Sequence, residues 1–269
     1  VLNRREGNMA VFEHKAKVMR NEEVVPNTFL MELELPSIAS AAKPGQFVML
    51  RVSESIDPLL RRPFSICNTM NGNILLLYRM VGRGTRIMAE TTVGTELWVL
   101  GPLGKGFEPP EAGEDCLLVG GGMGIAPLVL LARSLEGRNV FFMAGYGTVA
   151  EIISPEKLDM LDLEVALATE DGSAGYRGLV TGLLEEAVGK KGKKIVYSCG
   201  PVAMLKRVVS LCSEKQVGCR VSLETAMACG LGACRGCAVP AAPGSGRSTY
   251  HVCQDGPIFS AESIDWESL

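Results

Sequence analysis

Four cysteines constrain this chain more than any other feature. Cys229, Cys234 and Cys237 stand in the run Cys229-Gly230-Leu231-Gly232-Ala233-Cys234-Arg235-Gly236-Cys237, and Cys253 answers them downstream. Gaps of four and then two residues, followed by a distant fourth thiol, match the plant-type spacing of a [2Fe-2S] cluster, in which thiolates hold both irons. Gly230, Gly232 and Gly236, with the small Ala233, let the backbone take positive φ and turn its amides towards cluster sulfides. Zinc also accepts four thiolates. Zinc modules usually present two CxxC-type pairs, whereas only Cys234 and Cys237 are so spaced here. On spacing alone, a zinc site and unligated thiols stay open as alternatives.

At 269 residues the chain suits two domains and a small appendage better than one core. With 47% hydrophobic residues, 21% charged and a formal net charge of -3, it lacks the basic excess of a nucleic-acid binder. No apolar run reaches the ~18 residues of a membrane span, and no charged segment followed by an apolar one opens the chain. A soluble cytoplasmic protein is expected. Nine cysteines, an odd number, argue for a reducing compartment and against a disulfide framework. Cys67, Cys116, Cys212 and Cys219 have no ligand-like spacing and read as small buried hydrophobes. Val1 to Asn8 lack periodicity and read as a disordered leader or the product of a misplaced start.

From Phe12, short alternating or apolar runs near residues 11–20, 28–35, 46–52, 63–67, 73–80 and 95–100 are separated by glycine, proline and asparagine. Such spacing predicts an antiparallel barrel. In Arg62-Pro63-Phe64-Ser65, Pro63 fixes the backbone beside an arginine able to fork onto phosphate. The run Leu77-Tyr78-Arg79 leads through Gly82-Arg83-Gly84-Thr85 into a short helical pattern, and a helix start behind two glycines suits an anion. Each stretch alone is also compatible with a plain surface turn. Together they resemble the flavin-binding barrel of the ferredoxin reductase superfamily, whose Arg-x-Tyr-Ser motif is matched by Arg62, Pro63, Phe64 and Ser65. The resemblance implies that Arg62 and the Gly84-Thr85 turn hold the FAD pyrophosphate. It sets Ser65 near the reactive edge of the isoalloxazine, and Leu77, Tyr78 and Arg79 along the cofactor. Phe64 keeps the ring of the usual tyrosine and loses its hydroxyl.

Gly101 to Phe107 form a turn-rich junction, and Glu108 to Glu114 a linker. The period then changes. Cys116 to Val119 read as a strand buried on both faces, followed by Gly120-Gly121-Gly122-Met123-Gly124-Ile125-Ala126-Pro127 and a helix to Leu135. Gly121, Gly122, Gly124 and Ile125 then become candidates for holding a dinucleotide pyrophosphate, although the strict fingerprint's third glycine is missing. Further strands at Val140 to Ala144, Leu163 to Ala168 and Lys194 to Ser198 predict a parallel sheet. Thr169, Asp171, Cys199 and Pro201 follow strand ends that should face the same crevice. Cys199 falls where the superfamily's Cys-Gly-Pro motif places a thiol near the nicotinamide. No arginine pair follows the strand ending at Ala144, which favours NADH over NADPH. His251, two residues before Cys253, reads as a strand-edge residue because four cysteines already complete a cluster.

The expected architecture is therefore α+β and multi-domain. It comprises an antiparallel FAD-binding β-barrel over residues 9–110, an α/β parallel-sheet NAD-binding domain over 111–220, and a small C-terminal [2Fe-2S] subdomain over 221–269. This order, with the phrases around Cys229 to Cys237 and Val252-Cys253-Gln254-Asp255-Gly256-Pro257, resembles the electron-transfer subunits of class 1B dihydroorotate dehydrogenases. The resemblance implies FAD, a [2Fe-2S] cluster and NAD as cofactors, and an FMN-containing catalytic subunit as partner, in a heterotetramer with two copies of each. Electrons from dihydroorotate would cross the cluster to FAD and leave as hydride to NAD+, in pyrimidine biosynthesis, with no catalytic acid or base needed in this chain for the hydride step. Two alternatives stand beside it. One is the flavoprotein subunit of a sulfide dehydrogenase or NADH-dependent ferredoxin:NADP reductase, and the other is a non-catalytic zinc-containing binding module.

Overall fold

The structure, a computed structural model, describes residues 11–158 and 163–269, so the expected leader at 1–8 lies outside the described residues. Seven strands make the first sheet: β1 (Phe12–Val25), β2 (Thr28–Glu34), β3 (Phe47–Arg51), β4 (Arg62–Ser65), β5 (Asn68–Met70), β6 (Asn73–Arg79) and β7 (Glu96–Leu103). They pair antiparallel in the order β4-β3-β7-β1-β2-β6-β5. The chain itself closes this sheet, because β4 and β5 lie at its opposite edges and only Ile66 and Cys67 separate them. Ile66 N–H donates to Gln46 O, and Cys67 N–H to Leu75 O, both at 2.9 Å. These bonds extend the β3–β4 and β5–β6 ladders into the two-residue link, so the connecting chain itself spans the seam. Val18, Leu33, Val48, Leu50, Ile74 and Leu76 fill the interior. Two short helices, α1 (Pro36–Ala41) and α2 (Arg83–Ala89), flank it. The sequence pattern misses β5 and α1, which are three and six residues long, too short to show a period.

The second sheet is built by β8 (Asp115–Gly121), β9 (Val140–Tyr146), β10 (Val165–Thr169), β11 (Tyr176–Arg177), β12 (Lys194–Cys199) and β13 (Gly218–Ser222), all parallel. Helices α3 (Ala126–Ser134), α4 (Val180–Gly189) and α5 (Val202–Lys215) cover it. The strand order β11-β10-β9-β8-β12-β13 starts in the middle, at β8, and reverses between β8 and β12. Strand order reversal opens a crevice beyond the carboxyl ends of those two strands. Leu117 to Val119 and Val196 to Tyr197 are buried on both faces, as continuous apolar runs require.

The C-terminal stretch does not stand apart from this sheet. After the cysteine loop come a ribbon, β14 (Ala238–Pro240) with β15 (Thr249–His251), and then a single helical turn, α6 (Val252–Asp255). Strand β16 (Ile258–Ser260) then pairs antiparallel with β13 and covers the sheet edge. Strand β13 itself spans the 220/221 position. The loop of Cys229 to Cys237 therefore hangs from the sheet that forms the crevice, and its Gly230 backbone lies against Met49 and Leu103 of the barrel.

Candidate cofactor cleft and cluster site

A cleft of about 510 Å³ lies between barrel and α/β sheet. Strands β4 and β6 bring Arg62, Pro63, Phe64 and Ser65 together with Leu77, Tyr78 and Arg79, and α2 adds Gly84 and Thr85. All nine residues singled out in the barrel sequence line this one space. Gly84 permits the closest approach, since a Cβ there would sit 2.9 Å from Arg62 Nε. The Arg62 guanidinium thus lies directly over the start of α2, where first-turn N–H groups lack intrahelical acceptors. The Thr85 hydroxyl is already committed, accepting the N–H groups of Val81 and Gly82 at 2.9 and 3.1 Å. Arg62 and backbone N–H groups remain to meet an anion.

Tyr78 contributes its ring rather than its hydroxyl. The hydroxyl donates to Asn21 Oδ1 at 2.9 Å, and Asn21 Nδ2 donates to Met88 O and Thr91 O at 2.7 and 2.9 Å, tying the end of α2 to β1. Burial holds that hydroxyl protonated far above its ordinary range. Phe64 meets the Tyr78 ring edge-on at 5.9 Å.

The opposite wall was not legible as a site in the sequence. Met123, Ser222, Leu223, Glu224, Thr225 and Met227 also line the cleft. Ser222 ends a parallel strand, and the rule of carboxyl ends applies to it as well, but the following run reads first as an approach to the cysteines. Thr225 Oγ1 is buried without a hydrogen-bond partner, which costs stability unless a ligand supplies one. A cation over free N–H groups, apolar ring-bearing walls and an orphaned hydroxyl together fit a flavin dinucleotide.

The glycine loop after β8 behaves differently. A Cβ on Gly124 would overlap Cys199 O, and one on Gly121 would come within 2.6 Å of Met204 Sδ and 3.1 Å of Pro201 Cδ. These two glycines press the loop against the end of β12. Gly122, at φ +53°, alone in this group faces open space. Ile125 is buried, and Pro127 sits in the first turn of α3. Cys199 is buried and lines neither cleft, and burial, with Glu224 nearby, pushes its thiol far up, so it is held neutral. Pro201 lines a second cavity of about 210 Å³, shared with Glu224 and Thr225. Thr169 Oγ1 donates to Ala174 O at 2.7 Å, fixing the next turn. In that turn Asp171 accepts the Ser173 hydroxyl at 2.6 Å and its N–H at 2.9 Å, which hold the exposed carboxyl below its usual range. Gly122, Asp171 and Pro201 are thus the members of this set that present surface to a ligand.

The four cysteines come together as two pairs. Cys237 Sγ and Cys253 Sγ are 3.3 Å apart, and the Cys234 thiol and N–H both approach Cys229 Sγ, the N–H at 3.4 Å. Further amides point at the sulfurs: Leu231 N at Cys229 (3.4 Å), Gly232 N at Cys253 (3.1 Å) and Gly236 N at Cys234 (3.5 Å). Gly230 and Gly232 reach these positions at φ +71° and +78°. Burial pushes the Cys229 thiol up, but the N–H groups of Cys234, Leu231 and Ala233 outweigh it and bring it down to about 6. Burial and the neighbouring Cys237 push Cys253 up to about 12. Among the described residues no three Cys, His, Asp or Glu side chains gather round one point. Two pairs of thiols ringed by N–H donors fit a two-iron cluster, which takes two thiolates on each iron. His251 stays out of the set, with Nδ1 3.8 Å from Asp255 Oδ2. Met227 lines the flavin cleft two residues before Cys229, so one short loop borders both sites.

Residues 224–265 match the family model of the iron-sulfur cluster binding domain of dihydroorotate dehydrogenase B. Over 256 residues the chain is 38% identical to the dihydroorotate dehydrogenase B (NAD+) electron transfer subunit of Desulforamulus reducens, covering 94% of this chain and 98% of the relative. The same subunit of Caldanaerobacter subterraneus is 38% identical over 250 residues, covering 93% of this chain and 97% of the relative. Among solved structures, an NADH-dependent reduced ferredoxin-NADP oxidoreductase superposes with a TM-score of 0.84 at 29% identity, over 98% of this chain and 93% of its own. A ferredoxin NADP+ reductase from Neisseria gonorrhoeae shares the fold, with a TM-score of 0.65 at 19% identity over 76% of this chain and 91% of its own. With 38% identity to these relatives over nine-tenths of its length and the cluster-domain match over its paired thiols, the chain belongs to the family of dihydroorotate dehydrogenase B (NAD+) electron transfer subunits.

Proposed function

We propose that this chain carries electrons from an FMN-containing dihydroorotate dehydrogenase subunit through a [2Fe-2S] cluster and FAD to NAD+, in the cytoplasm, as half of a heterotetramer with two copies of each subunit. The observation that carries this reading is the continuity of residues 223–229. That stretch lines the flavin cleft at Leu223, Glu224, Thr225 and Met227 and reaches the first paired thiol at Cys229. FAD exchanges two electrons with nicotinamide and one at a time with a cluster, so it joins the two kinds of carrier.

In this reading Arg62 and the start of α2 hold the FAD pyrophosphate, and Phe64, Ser65, Leu77, Tyr78 and Arg79 bound the rest of the cofactor. Gly122, Asp171 and Pro201 meet the NAD, while Gly121, Gly124, Ile125, Thr169 and Cys199 shape the crevice from behind. Cys229, Cys234, Cys237 and Cys253 ligate the irons. Residues 9–110 then serve the flavin, 111–220 the nicotinamide nucleotide and 221–269 the cluster.

The likeness to the ferredoxin-NADP oxidoreductase supports a second reading, a flavoprotein subunit with a larger iron-sulfur partner. Anaerobic purification with the native partner separates the readings. The first expects about two irons per chain, as one [2Fe-2S] cluster requires, flavin and cluster bands that both bleach with NADH, and an FMN-containing partner. A larger iron-sulfur partner would favour the second, and zinc without flavin would overturn both.

A further inference from the structure

FAD is a dinucleotide, and an adenosine follows its pyrophosphate. Under the function proposed above, on which this inference rests, the isoalloxazine lies towards Met227 and the cluster, and the pyrophosphate meets Arg62 at the start of α2. The adenosine therefore continues past that start, away from the cluster loop. Val81, Gly82 and Arg83 line the cleft there, and a Cβ on Gly82 would meet nothing within 4 Å, so the space is open.

Beside this exit stands the loop between β3 and β4. Two cleft arginines hold it, Arg83 Nη1 donating to Asp57 Oδ2 and Arg62 Nη1 to Leu60 O. Its first half is braced as well: Arg51 Nε and Nη2 donate to Ser53 O and Glu54 O, each at 3.0 Å, and the Ser55 hydroxyl donates to Asp57 O at 2.6 Å. A loop tied at so many points presents a preformed surface, which lowers the ordering cost of binding. That surface is apolar. Of the twelve large apolar side chains exposed among the described residues, Ile56, Leu59 and Leu60 belong to this loop, and Val81 stands at the cleft beside it. Ile56 is 87% exposed and Leu59 72%, although Pro58 between them is buried. Exposed apolar side chains gathered in one place mark a surface that a ligand or partner covers. A purine suits this one, being flat, apolar on both faces and joined through ribose to phosphate.

We propose that the loop from Ile56 to Leu60, with Val81, is the seat of the FAD adenosine, and that Arg83, held by Asp57, stands at its phosphate end. Continuity selects the occupant. The patch runs on from the cleft through Val81, and the two arginines that tie the loop also line the cleft where the pyrophosphate is placed. The loop thereby distinguishes FAD from free FMN, which ends at its first phosphate and stops short of the patch.

Fluorescence titration of the full chain, stripped of flavin anaerobically with its cluster retained, tests this with FAD and with free FMN. In the double variant Ile56→Ser/Leu59→Ser, FAD affinity should fall roughly 10- to 50-fold, the scale of two aliphatic side chains partly covered by a ligand. FMN affinity should stay at the wild-type value. Hydrogen-deuterium exchange of the wild type gives a readout free of substitution, in which FAD should protect the amides of residues 54–60 more than FMN does. An equal loss of affinity for both flavins, or equal protection by both, would overturn the proposal. Unchanged FAD affinity in the variant would overturn it too, and loss of association with the FMN-containing subunit would then make the patch a docking surface. A wild-type chain that takes up neither flavin would instead overturn the function itself.

Discussion

Two glycine-rich turns look alike in the sequence and do different things in the structure. Gly82-Arg83-Gly84 opens α2 in the barrel, and Gly120 to Gly124 run from the end of β8 into the turn after it in the α/β sheet. At Gly84 the space a Cβ would take is used by Arg62 Nε, the flexible end of a side chain. At Gly124 it is used by the backbone of Cys199, and at Gly121 by Pro201 and Met204. The barrel glycine makes room for a mobile cation beside a cleft. Gly120 and Gly124 in the α/β unit instead let two pieces of main chain come close. A glycine motif thus reports close approach without saying what approaches, ligand or protein.

The most severe way to break this contrast is Gly124→Ala. Neither Cys199 nor Gly200 can yield without moving the end of β12, so the variant should lose about 3 kcal/mol, the upper end of overpacking costs. Chemical denaturation would measure it. A variant of wild-type stability with weakened NADH binding would instead put Gly124 on the ligand side. Gly84→Ala should do nearly the opposite. Alanine gains up to about 1 kcal/mol of helix propensity, offsetting the displacement of Arg62, so stability should hardly change. FAD affinity should fall roughly tenfold, equivalent to about 1.4 kcal/mol, as the guanidinium leaves its place over α2. Fluorescence titration of apoprotein with FAD checks this, and undiminished affinity would remove Arg62 from the phosphate site.

The same contrast explains what could be read without coordinates. The barrel, the parallel sheet and the cysteine spacing rest on local periodicity and short-range pattern, and they are legible. Three features are not, because each depends on segments far apart in sequence. Strand β16 completes the sheet through pairing with β13 across more than thirty residues of intervening chain, roughly the reach of a whole supersecondary unit. Glu224 and Thr225 become cleft residues only because β13 ends opposite β4 and β6. Cys199, at the right place in its motif, turns out to be buried behind Gly124. A motif's position says which strand end it occupies and leaves open which side of that end it faces.

Gly122 offers the finest test, because it combines the two behaviours. It needs φ +53°, and a Cβ there would meet nothing within 4 Å, so packing and ligand approach can be separated there. Gly122→Ala should cost about 1 kcal/mol, the penalty of a left-handed backbone for an L-residue. Gly122→Asn should recover most of that, since asparagine tolerates this region, while adding more bulk to the open side. If the dinucleotide lies over Gly122, NADH should bind both variants more weakly, and Asn at least as weakly as Ala despite its better stability. Weakening that follows stability instead, with Asn close to wild type, would mean that this glycine serves the turn alone. The loop after β8 would then be packing throughout, and the NAD would rest on Pro201 and the Asp171 turn.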